Sequence, residues 1–200
     1  MDSRCATAVD AFVRAVAPLC GDDAANLEYA EYTPAHAINL MGKDPCDMPL
    51  RDYVARFTRH ALLTPEDLAH AWAYFENLAA CTPIGPRSMH RAVAAVLVCA
   101  HKYNHDLCLN FRALAKVAGV DCKELLRIET CALLRLQWRL CLHPTEVRAT
   151  LRQWGCEAYE GIGGPAHSEG VATAPRDIPR AGASPESGPE SSRATSPVDV

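Results

Sequence analysis

Aromatic residues make up only 6% of the sequence, and positive charge is not in surplus. Twenty Lys and Arg stand against 24 Asp and Glu, giving a formal net charge of −4 and a pI near 6.0. With few aromatics, the core of a 200-residue chain must be built mainly from aliphatic and small side chains. Without a basic surplus, a general affinity for nucleic acid or for an anionic membrane is not expected. Lysines and arginines are also scattered, with no interleaved aromatics on which bases could stack. No apolar run approaches the roughly 18 residues of a spanning helix. Met1-Asp2-Ser3-Arg4-Cys5 lacks the basic start and apolar stretch of a secretory leader, so an intracellular protein, cytoplasmic or nuclear, is expected. There is no internal repeat. GxSxG, HExxH, Walker-loop and kinase signatures are all missing, which leaves little support for an enzyme.

What is present begins with ten cysteines, at 5, 20, 46, 81, 99, 108, 122, 131, 141 and 156. None forms a CxxC, and several sit among apolar residues with helical spacing. Reduced, buried thiols are expected rather than disulfides. The hydrophobic share of 49% with 22% charged residues is ordinary for a globular chain that closes its core without staples or metal.

Composition changes near residue 160. From Glu160 to Val200 there is no aromatic residue, apolar periodicity stops, and Gly, Pro, Ser and Ala dominate. Such a segment cannot offset its ordering entropy by burial, so residues 157–200 are expected to be a disordered tail. Gly161-Ile162-Gly163-Gly164-Pro165 resembles a phosphate loop only superficially. It follows no strand and opens no helix, and reads as a linker.

Before the tail, the start signals predict helices and no strands. A first helix is expected from about Cys5 to Leu19, followed by an irregular stretch over 21–48. Pro49 opens a helix to about Leu62, Thr64-Pro65-Glu66-Asp67 caps one to about Ala80, and Pro86 opens one to about Tyr103. Asn110 caps a short helix that stops at Gly119, and Asp121 with Glu124 makes a D-x-x-E capping pattern for one to about Leu136. Pro144 opens a last helix to about Trp154. Residues 92–100 read AVAAVLVCA, apolar on every face, which marks a buried central helix. Its alanines permit close approach of neighbours. Trp72, Phe75, Leu78, Leu125, Ile128, Leu133 and Leu136 are the expected larger partners.

Three chemistries compete at the end of that helix. Cys99, His101, His105 and Cys108 are nitrogen and sulfur ligands with partly helical spacing, as zinc would need, against solvated histidines and buried thiols. A cysteine–histidine nucleophilic pair has no residue that singles it out. Lys102 and Glu129 are charged residues beside apolar runs. Either Lys102 snorkels and Glu129 faces water, or both serve an interface whose apolar surface a partner covers.

From about Pro49 to Leu142 the chain resembles a cyclin box, specifically that of the P- and U-type cyclins of plants and protists and the yeast phosphate-pathway cyclin. Leu50-Arg51-Asp52-Tyr53-Val54-Ala55-Arg56-Phe57 is similar to the family's I-x-x-Y-L-x-R-I. Tyr74-Phe75-Glu76-Asn77-Leu78 is similar to Y-[LI]-[DE]-R-[LI], departing at Asn77. Ser88-Met89-His90-Arg91 runs on to Ala100-His101-Lys102 and Asp106. Asn110, Ala115-Lys116-Val117, Gly119-Val120, Glu124-Leu125 and Glu129 then follow at family spacing. Ser88 and Ala118 replace a usual asparagine and glycine.

The resemblance implies an all-α fold, a five-helix bundle around the central helix over 49–142. An N-terminal helix and irregular segment (1–48) and a C-terminal helix (143–156) flank it. It implies a non-catalytic, cofactor-free subunit that binds a cyclin-dependent kinase and holds the kinase C helix inward, which completes the kinase's lysine–glutamate pair. Family contacts to the C helix and activation segment map to Lys102 and Glu129, with apolar contacts at Tyr103, Leu133, Trp138 and Leu140. Residues 143–156 leave room for one helix and no second box. The docking patch of many cyclins is not matched, since Asp52 stands where alanine would be, and no destruction box stands out near the N-terminus. Ser184-Pro185 and Ser196-Pro197 suit a proline-directed kinase. Two alternatives remain: a cyclin-fold adaptor that activates no kinase, and a small helical enzyme or metal protein.

Overall fold

The computed structural model describes residues 1–22, 40–107 and 109–157, all within one unit spanning Met1–Glu160. Cys108, Ser184, Ser196 and the tail beyond Glu157 lie outside the described residues, as does most of the irregular stretch expected over 21–48.

Among the described residues there are seven α-helices and no strands: α1 (Ser3–Val16), α2 (Leu50–Ala61), α3 (Pro65–Cys81), α4 (Pro86–Asn104), α5 (Phe111–Ala118), α6 (Cys122–Arg135) and α7 (Pro144–Gln153). A short 3-10 turn, Ala17–Leu19, extends α1. None of these helices is long and apolar enough to cross a membrane.

Local chemistry explains most of the boundaries. The Asp2 carboxylate accepts from the Cys5 amide at 2.7 Å and starts α1. Thr64 and Asp67 form a reciprocal capping box with Pro65 in the first turn of α3. Asn110 caps α5, which Gly119 ends in the left-handed region at φ 73°. Asp121 caps α6 as expected, accepting from the Glu124 amide at 2.8 Å. The Glu124 carboxylate is instead ion-paired with Arg91 of α4. An ion pair to the neighbouring helix thus takes the carboxylate that the reciprocal half of the capping pattern would use.

The central helix is α4, as its composition predicts. Every residue from Ala92 to His101 is buried, and the helix packs against α2, α3, α5 and α6. Phe75 and Leu78 from α3 and Leu125 and Ile128 from α6 are fully buried, while Trp72 and Leu133 are only partly so. Cys99, Cys131 and Cys156 are buried free thiols. Cys46, Cys81, Cys122 and Cys141 are exposed instead, so the expectation of buried thiols holds for part of the set.

The segment after α6 is unusual. Gln137 and Trp138 both have left-handed backbones, at φ 52° and 59°, with no glycine to ease the turn. It is tied down by the Tyr74 hydroxyl, which donates to the Leu140 carbonyl at 2.6 Å. Tyr74→Phe deletes that bond and is expected to cost about 1–2 kcal/mol in a denaturant melt. An unchanged midpoint would show that the tether carries no weight.

Candidate functional site

Lys102 lies in the last turn of α4 and Glu129 midway along α6, and the fold brings them together at 2.6 Å. Glu129 is 5% exposed, whereas the Lys102 side chain is 41% exposed. The solvent-facing reading of Glu129 is thereby overturned. Leu125, Ile128, Glu129 and Ala132 are the buried residues of one helical stripe, and the carboxylate sits within it. Lys102 snorkels, with its ammonium 5.0 Å from the centre of the Phe111 ring. The result is a buried anion matched by a cation at the water boundary, on a rigid helix pair.

Cys99, one turn before Lys102, has its thiol pushed up to about 12, by burial first and then by the Glu129 charge. Buried and raised in this way, it packs the site as a neutral thiol.

Tyr103 is 45% exposed and packs beside His70 of α3, with ring centroids 6.2 Å apart. Its hydroxyl meets the Cys141 thiol, a contact that raises its pKa. The connector after α6 thus lies against the end of α4. Trp138, on that connector, is 64% exposed. Leu133, one turn beyond Glu129, and Leu140 are half-buried against the core. Two further apolar residues not singled out in the sequence are exposed, Leu107 just after α4 and Leu134 beside Leu133. The signal was available for Leu134, an apolar residue out of register with the buried stripe of α6.

The zinc reading finds other uses for its residues. The His101 and His105 rings are 4.9 Å apart. The His105 Nε2 meets Asp67 at 2.8 Å, however, and the His101 Nε2 accepts from the Leu109 amide at 3.2 Å. Among the described residues no three such side chains are arranged to hold a metal ion. At the matching position of the docking patch, Tyr53 is buried and donates to the Ala118 carbonyl at 3.0 Å. Beside it opens a cleft of about 310 Å³, lined among others by His90, Arg91, Glu124 and Ile128.

A family model described as Cyclin matches residues 13–140, well over half of the chain. The chain belongs to the cyclin family. Members of this family are in general regulators of protein kinases and not catalysts. The matched stretch runs from within α1 to Leu140 and holds α2–α6 complete, with Lys102, Tyr103, Glu129, Leu133, Trp138 and Leu140 all inside it. No curated protein matches this cyclin.

Proposed function

We propose that this cyclin is an activating regulatory subunit of a cyclin-dependent kinase, of the P- or U-type, and that the Lys102–Glu129 edge holds the kinase C helix inward. The observation that carries the reading is the buried Glu129 carboxylate, matched by a half-exposed Lys102 at the rim of a surface with unburied Tyr103 and Trp138. Such a pair can offer charge-assisted bonds to a partner while the aromatics supply buried area. Leu133 and Leu140 extend the apolar contact.

Catalysis then belongs to the kinase. A subunit that binds only the helix-in state shifts the kinase equilibrium by its differential affinity; moving it from 1:99 to 99:1 takes about 5.5 kcal/mol. The bound, proline-directed kinase is also the natural modifier of Ser184 and Ser196.

The test is capture of kinases from native extract on the wild-type chain and on the Lys102→Ala/Glu129→Ala variant, read by mass spectrometry and by activity of the captured kinase. A kinase held and activated by the wild type and lost from the variant supports the proposal. A folded wild type that captures none moves the weight to the adaptor reading. A kinase captured without activation does the same.

Trp138→Gly separates fold from interface. Glycine relieves a left-handed backbone that costs about 1–2 kcal/mol, against about 0.5–1 kcal/mol of added chain entropy, and little burial is lost. Thermal stability is expected to hold within about 1 kcal/mol while kinase affinity falls about tenfold. A variant that melts early but binds normally would assign Trp138 to the fold.

A further inference from the structure

The proposed kinase contacts make no use of the two histidines at the end of α4, His101 and His105. His101 is buried, and its Nε2 accepts a hydrogen bond from the Leu109 amide at 3.2 Å. An amide can only donate, so this contact requires Nε2 to carry a lone pair and His101 to be neutral. Among the described residues, the charged groups that act on His101 include His105, at the end of its own helix, and Asp67 of α3. Asp67 is already engaged by Thr64, Asn104 and His105. Leu109 leads through Asn110 into α5, whose first residue, Phe111, carries the Lys102 ammonium on its ring. Leu107, just after α4, is 93% exposed.

We propose that His101 is a proton-sensitive latch: neutral, it fastens Leu109, at the approach to α5, to the end of α4, and protonated, it releases it. A proton on Nε2 turns the acceptor into a donor that faces the Leu109 amide, so two N–H groups meet head-on and the bond is lost. The neighbouring His105 also works against a charged His101 ring. Burial, and then the neighbouring His105, hold the His101 pKa below 6.5, so the latch stays closed at neutral pH and opens on acidification. Release loosens the entry to α5 and with it the support under Lys102. The latch concerns the free chain and stands whether or not a kinase is the partner.

Amide exchange of the full chain tests this, with the Leu109 rate divided by its intrinsic rate at each pH from about 7.5 to about 5. The wild-type protection of Leu109 is expected to fall about tenfold or more across that range while Leu97, in the middle of α4, keeps its own. His101→Gln places a non-titrating carbonyl near the Nε2 position and is expected to hold protection level. A flat wild-type profile, or a parallel fall in His101→Gln, overturns the latch. Should His101→Gln not fold, His105→Asn decides. Removing the neighbouring ring is expected to move the wild-type midpoint to higher pH, and a midpoint that stays or drops overturns the proposal.

Discussion

Lys102→Ala and Glu129→Ala are each expected to weaken kinase binding by about 2 kcal/mol or more, close to thirtyfold, because each strands a polar group of the partner inside the interface. The two substitutions should differ in the free chain. Lys102→Ala leaves the Glu129 carboxylate buried without its cation. Breaking a fully buried pair costs about 3–5 kcal/mol, and the half-exposed Lys102 brings that down to about 1–3 kcal/mol. Glu129→Ala costs less on this count, since the freed ammonium can turn into water. The double variant should therefore be more stable than the sum of the singles implies, yet bind no better than either. Denaturant midpoints and kinase titrations on all four proteins check both halves. Equal kinase affinity throughout would remove the pair from the interface. Stabilities that add to within about 0.5 kcal/mol would show that the two charges do not couple.

Asp67→Ala is expected to destabilise the chain by about 3 kcal/mol. One carboxylate oxygen takes the Thr64 amide at 2.8 Å, the Thr64 hydroxyl at 3.0 Å and His105 at 2.8 Å; the other takes the Asn104 amide group at 2.8 Å. The side chain thus caps α3 and clamps the end of α4 to it. Alanine removes a cap worth about 1 kcal/mol and leaves partly buried donors unmet. Burial by itself raises the Asp67 pKa. The Thr64 amide, then His105, Asn104 and the Thr64 hydroxyl, outweigh that and hold it below 3.8. The contribution of this carboxylate is then complete above its unfolded value and lost as pH falls through the folded one. Asp67→Asn, which cannot titrate, should lose its disadvantage against wild type in acid. A stability gap that stays constant from neutral pH to about pH 3 would refute the clamp.

Much of the fold is legible in the sequence because its signals are local. Pro65, Pro86 and Pro144 fix first turns, Thr64, Asn110 and Asp121 cap, Gly119 stops α5, and the run from Ala92 to Ala100 names the central helix. Each of these depends on residues a few positions apart, so helix propensity and burial pattern carry it. Even the burial of Glu129 is written in the 125, 128, 129, 132 stripe, although a glutamate invites the opposite reading.

Who meets whom is a different matter. Glu124 looks like half of a capping box and is taken by Arg91, 33 positions earlier. His101 and His105 have a spacing that metals use, but Asp67, from another helix, claims one ring and the Leu109 amide the other. The left-handed turn at Gln137 and Trp138 has no glycine to announce it. The sequence by itself determined an all-helical cyclin-type core and the residue types at its edge. Tertiary structure alone decided that Lys102 closes on Glu129 and that Tyr74 pins Leu140. Contacts between residues 27 and 66 positions apart are set by how whole helices pack, and no local pattern encodes that.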